Sequence, residues 1–96
     1  MLVLVTYDVN TETPEGRKRL RKIAKICNDY GIRVQNSVFE CVVNSTEFIT
    51  LRVKIDEIIN PEIDSVRYYN LGNHGRYRVI HVGKTIGVDV EAPLIF

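Results

Sequence analysis

No stretch of this chain stays apolar for the roughly 20 residues that a membrane-spanning helix needs. Its amino-terminal residues read as a strand, not as a charged leader before an apolar core, so a cytoplasmic protein with no membrane association is expected. Cysteine is scarce: Cys27 and Cys41 have no metal-ligand spacing, and both fall within expected elements, as reduced buried thiols would. Histidine is equally scarce. His74 sits in a glycine-flanked turn and His81 in a strand, and without a catalytic partner both read as structural. There is no Ser-His-Asp arrangement, P-loop or zinc ligand set, and no repeat, low-complexity segment or linker. Tyr68, Tyr69 and Tyr77 lack the Gly-aromatic phrases of an RNA-recognition sheet and read as packing or interface residues. An excess of charge is missing too, since 13 cations against 12 acids leave a net +1.

What is present is organised. Ninety-six residues, 45% of them hydrophobic, make a single domain (1–96) with a modest core that a second copy can help to complete. Residues 15–25 hold six cations, Arg17, Lys18, Arg19, Arg21, Lys22 and Lys25, against the single acid Glu15. Positive charge gathered on one segment makes a directed patch, either a footprint for a phosphate backbone or a solvated helix face.

Leu2 to Val9 is β-branched and apolar on both sides, a strand to be covered on both faces. Alternation sets Leu2, Leu4, Thr6 and Asp8 against Val3, Val5, Tyr7 and Val9. Thr13 and Pro14 start a helix whose buried stripe is Leu20, Ile23, Ala24, Cys27 and Tyr30, and Gly31 is expected to end it in a left-handed turn. Arg33 to Val43 reads as a second strand. Residues 45–60 carry conflicting signals. Ile49, Leu51, Val53 and Ile55 alternate as in a strand, whereas Phe48, Leu51, Ile55 and Ile58 follow helical spacing behind an Asn44–Glu47 capping box; length favours a helix. Ser65–Leu71, a turn at Gly72–Gly75, and Tyr77–Val82 make a hairpin, and the apolar tail of residues 84–96 is expected to dock as an edge strand on a partner protomer. The expected fold is an α+β, ferredoxin-like βαββαβ-type sandwich with helices on one face of an antiparallel sheet, forming a homodimer with the sheets facing each other.

Asp8 is the first candidate site residue. It either caps the loop at Asn10-Thr11 or, paired with its copy across a twofold axis, holds Mg²⁺ or Mn²⁺. Arg17 and Arg19, close to the helix start, are phosphate ligands or solvated cations, and Arg33 is a phosphate ligand or half of a surface ion pair. Gln35, Ser37 and Phe39 share parity with Arg33 and should face one side, Phe39 as plain core or as part of a site. The phrases Val5-Thr6-Tyr7-Asp8-Val9 and Gly31-Ile32-Arg33-Val34-Gln35-Asn36-Ser37-Val38-Phe39-Glu40 resemble the CRISPR-associated protein 2 family nearly end to end, with Cys41-Val42-Val43 a departure beside an intact motif. The resemblance implies that Asp8 is the metal-binding catalytic residue, with Tyr7, Gln35, Ser37 and Phe39 near the site at a subunit junction. It also implies a homodimer that grips double-stranded DNA beside the CRISPR-associated protein 1 integrase during spacer acquisition. Metal-dependent endonuclease activity on DNA or single-stranded RNA comes with it. A rival from another class is a metabolite-binding regulatory domain of the same fold, which leaves the six-cation helix without a task.

Overall fold

Val3, Val5 and Tyr7 alternate with Leu2, Leu4, Thr6 and Asp8, and this period of two extends the chain as β1 (Leu2–Asp8) in the computed structural model, which describes residues 1–72 and 78–84. Val3, Val5 and Tyr7 are buried; Asp8, on the other face, is exposed. In α1 (Pro14–Tyr30), Thr13 Oγ1 accepts the Gly16 amide at 3.1 Å and Pro14 stands in the first turn, where no donor is missed. Ile23 and Cys27 lie fully buried on its inner stripe, with Leu20, Ala24 and Tyr30 packed beside them. The expected left-handed end is absent. Gly31 has φ −166° and ψ −162°, an extended backbone that opens the next strand directly. Glycine serves there for space, because a Cβ would strike the Glu40 carbonyl oxygen and Cys41 on the neighbouring strand.

The segment expected as one strand is a hairpin, β2 (Gly31–Gln35) and β3 (Val38–Val42), around a turn at 36–37. Folding back lets its backbone amides and carbonyls pair within the segment. Arg33 lies opposite Phe39, but Gln35 lies opposite Val38, so one residue bulges between them. The common parity expected for Arg33, Gln35, Ser37 and Phe39 is therefore broken. Arg33 and Phe39 keep to the helix-covered side, Gln35 takes Val38's side, and Ser37 sits in the turn.

Asn44 caps α2 (Ser45–Asp56) with a full capping box: its side chain accepts the Glu47 amide at 2.8 Å while Glu47 Oε1 accepts the Asn44 amide at 2.9 Å. Phe48, Leu51 and Ile55 are buried, each contributing roughly 2–3 kcal/mol of transfer free energy. Ile49 and Val53, which complete the strand-like alternation, are 58% and 50% exposed. Helical period decides the element, and it closes at Asp56, short of the Asn60-Pro61 breaker.

With β4 (Ser65–Asn70) and β5 (Arg78–Gly83) the sheet runs β2-β3-β1-β4-β5, antiparallel throughout. Val3, Val5, Phe39, Cys41, Val66 and Tyr68 form the sheet side of one core against Ile23, Cys27, Leu51 and Ile55 of the helices. This is the expected ferredoxin-like α+β sandwich, with β5 added at the β4 edge. Both cysteines are free and buried; burial pushes the Cys27 thiol up to about 12 and Cys41 up to about 11, which favours the protonated thiol at neutral pH. No helix among the described residues is long and apolar enough to cross a membrane. The expected turn at residues 73–75, and the tail beyond Lys84, lie outside the described residues.

Candidate metal and phosphate site

Pairing of β1 with β4 sets Asp8 opposite Ser65, Thr6 opposite Arg67 and Leu4 opposite Tyr69, so these side chains share the face away from the helices. Thr6, Asp8, Ser65, Arg67, Tyr69 and Lys84, with Tyr7, line an open concavity of about 320 Å³. The loop after β1 does not use Asp8 as its cap: the Asn10 amide goes to Asp64 at 2.9 Å, and the Glu12 amide goes to Asn10 Oδ1 at 2.9 Å. Among the described residues the Asp8 carboxylate has no hydrogen-bond or ion-pair partner, and no three His, Cys, Asp or Glu side chains converge. An exposed carboxylate oxygen pair beside Arg67 and Lys84 suits a hard cation that keeps most of its waters, or a phosphate with that cation. Ser65, Tyr69 and Lys84 escape the sequence reading, because only long-range register brings them to Asp8.

Behind this rim lies a buried carboxylate that sequence reasoning also passes over. Asp64 is fully buried and takes four hydrogen bonds: the Asn10 amide, the Asn60 amide at 3.0 Å, Arg19 Nε at 2.7 Å and Arg19 Nη2 at 3.3 Å. Burial would push its carboxyl up, but the Arg19 guanidinium and the two amides outweigh that and hold it below the usual carboxylate range. Arg19 is thus a structural clamp, its side chain only 16% exposed, and not the free phosphate ligand expected from its position. A carboxylate buried in a loop needs a cation of this kind, yet nothing local to 60–64 identifies which one. Arg17 stays exposed and spends one donor, Nη1, on the Thr11 carbonyl at 3.0 Å.

Close approach locks the same corner. At Gly83, φ is +105°, and a Cβ there would strike the Asp64 carbonyl oxygen, which accepts the Lys84 amide at 2.8 Å. A Cβ at Gly16 would meet the Asn10 carbonyl oxygen. Glycine to alanine inside a helix ordinarily gains about 1 kcal/mol. Gly16→Ala is expected to reverse that sign and to lose about 1–2 kcal/mol in urea unfolding, because the backbone it strikes is held by Asp64. A gain in stability would show that the loop is free to move.

On the helix-covered side, the Tyr7 and Phe39 rings stack with centroids 6.2 Å apart, and the Arg33 guanidinium lies 5.2 Å from the Phe39 ring centre. The Tyr7 amide donates to the Ser37 carbonyl at 3.1 Å, fixing the β2–β3 turn against the end of β1. Phe39 is thus part of the core and also supports Arg33. The structure therefore divides the expected site residues between the two faces of one sheet end. Asp8 lies on the open face, whereas Tyr7, Arg33 and Phe39 lie beneath the helices.

The family model described as CRISPR associated protein Cas2 matches residues 1–79. The chain is 53% identical over 96 residues to a CRISPR-associated endonuclease Cas2 of Halalkalibacterium halodurans, covering 100% of each. It is 55% identical over 95 residues to a CRISPR-associated endoribonuclease Cas2 of Chlorobaculum tepidum, covering 99% of each. Among solved structures, Streptococcus pyogenes Cas2 superposes with a TM-score of 0.71 at 62% identity, over 75% of this chain and 87% of that one.

Proposed function

The chain belongs to the Cas2 family of CRISPR-associated proteins, and we propose that it acts in spacer acquisition, as a homodimer that grips double-stranded DNA beside the CRISPR-associated protein 1 integrase. The observation that carries this reading is the state of α1. Arg17, Lys18, Arg21, Lys22 and Lys25 are all exposed, and the one ion pair among the described residues uses Arg19 instead. Lys18, Lys22 and Lys25 follow i, i+4, i+7 spacing and share one ridge, a geometry suited to successive phosphates without regard to base sequence. Dimer formation is supported by the open face of the sheet. Leu2, Ile32 and Val42 are exposed at 37%, 72% and 77% there, on the side that also carries Asp8.

Salt dependence tests the grip. Changing Lys18, Lys22 and Lys25 together to Gln is expected to weaken duplex binding at least about tenfold, and to flatten the slope of log affinity against log salt by up to about 0.9 per lost contact. Binding and slope unchanged from wild type would remove this lysine ridge from the interface.

A second reading, supported by the uncommitted Asp8 and by the endonuclease and endoribonuclease names of the relatives, is metal-dependent phosphodiester hydrolysis on DNA or RNA. Mg²⁺ or Mn²⁺ held by Asp8 and its copy would lower the pKa of a bound water and neutralise charge in the transition state. Arg67 and Lys84, on the same concavity, would orient the phosphate and balance its charge. Gripping and cleavage are compatible, since they use different residues.

A further inference from the structure

We propose that Arg21 and Arg33 form a second anion site, on the helix-covered side of the sheet, that takes a phosphate group. A concavity of about 390 Å³ lies between α1 and the β2–β3 turn, lined by Arg21, Arg33, Tyr7, Asn36 and Ser37 over Leu20 and Ala24. Its lining includes two arginines and no acidic residue, and among the described residues neither guanidinium is spent on an ion pair. A hollow with two arginines and no acid in its lining favours an anion, and a guanidinium fork matches phosphate oxygens in pairs. Arg33 is already placed, because its guanidinium rests on the Phe39 ring, which is 1% exposed and stacked against Tyr7. Less side-chain freedom is therefore lost when the anion binds.

Inorganic phosphate, a mononucleotide and the backbone of a polynucleotide all offer this group. Topology favours the backbone. Tyr7 borders this hollow and also the one around Asp8, and as consecutive residues of β1 the two side chains take opposite faces. A strand crossing that end of the sheet would engage both hollows, one phosphate in each. In naming the backbone as the source, the site rests on the nucleic-acid function proposed above.

The test follows arginine Nε–H signals of ¹⁵N-labelled protein during titration with inorganic phosphate and with a mononucleotide. Oligonucleotide affinity is measured against salt in parallel for the wild type, Arg21→Gln, Arg33→Lys and Lys54→Gln, the last an exposed cation of α2 outside the hollow. Saturable shifts of Arg21 and Arg33 are expected with phosphate. Arg21→Gln should weaken the oligonucleotide about fivefold to tenfold and reduce the salt slope by about one, well beyond Lys54→Gln. Arg33→Lys keeps the charge but loses the fork, so it should weaken phosphate binding while leaving the salt slope near that of the wild type. Absence of saturable shifts, or an Arg21→Gln effect no larger than that of Lys54→Gln while the wild type binds oligonucleotide, overturns the site and leaves nucleic-acid binding standing. Shifts with phosphate but no oligonucleotide binding by the wild type support the site, assign it a free phosphate or nucleotide, and overturn the nucleic-acid reading.

Discussion

Replacing Asp8 by Asn is expected to lower Mg²⁺- or Mn²⁺-dependent cleavage of DNA or RNA by about a hundredfold to a thousandfold, with folding and duplex binding retained. That range corresponds to about 2.7–4 kcal/mol of transition-state stabilisation. It is the scale expected when a charged metal ligand becomes a neutral amide of the same shape. Folding should be spared because Asp8 is exposed and, among the described residues, makes no hydrogen bond or ion pair that the change would break. The proposed dimer supplies a second readout. Two Asp8 carboxylates close to one axis repel each other when metal is removed, so in chelator the Asn variant should dimerise at least as tightly as the wild type. Labelled duplex DNA and single-stranded RNA, assayed with and without metal, decide the matter. Cleavage that survives in Asp8→Asn removes Asp8 from the chemistry and leaves the DNA-gripping reading alone.

The second large effect concerns stability, at a residue with no proposed part in the chemistry. Asp64→Asn should cost on the order of 3 kcal/mol, because the Arg19 guanidinium loses its charged partner and, whichever oxygen becomes the amide nitrogen, two of the four bonds at the carboxylate become clashes of donors. For a domain of this size that is a fall in Tm of roughly 12–24 °C. The sign of the pH dependence follows from the depressed carboxyl. Its contribution is complete above the ordinary carboxylate range near pH 4, and is lost as pH falls through the lower folded-state value. Wild-type stability should therefore drop steeply below about pH 4 while Asp64→Asn shows a shallower acid limb. Equal acid limbs in chemical unfolding would mean that Asp64 is not the linked group. Removing Arg19 and Asp64 together should not restore stability, since the amides of Asn10 and Asn60 would lose their acceptor.

How much of this was legible beforehand depends on how far apart the interacting residues stand. α1 was readable from Thr13-Pro14 and its apolar stripe, and α2 from the Asn44–Glu47 box, because caps and helical period are written in residues three or four apart. Asp8 was legible as a carboxylate ending an apolar strand. Its freedom from the following loop was not, since that depends on Asp64 taking the Asn10 amide across 54 positions. Arg19 shows the same limit: its place on a basic helix suggested phosphate, and a carboxylate 45 residues away claimed it. Parity failed at Gln35 for a different reason, because a bulge and a tight turn reset the alternation.

The amino-acid sequence by itself determined both helices, the strands β1, β4 and β5, the ferredoxin-like class and the two motif phrases, since each is a matter of local propensity and spacing; the division of residues 33–43 into two paired strands was not among them. Only the tertiary structure decided which cations remain free, which side chains surround Asp8 and which glycines admit a neighbouring backbone. Those outcomes turn on strand register and on the satisfaction of buried charge, and both are settled between residues that meet only after the chain has folded.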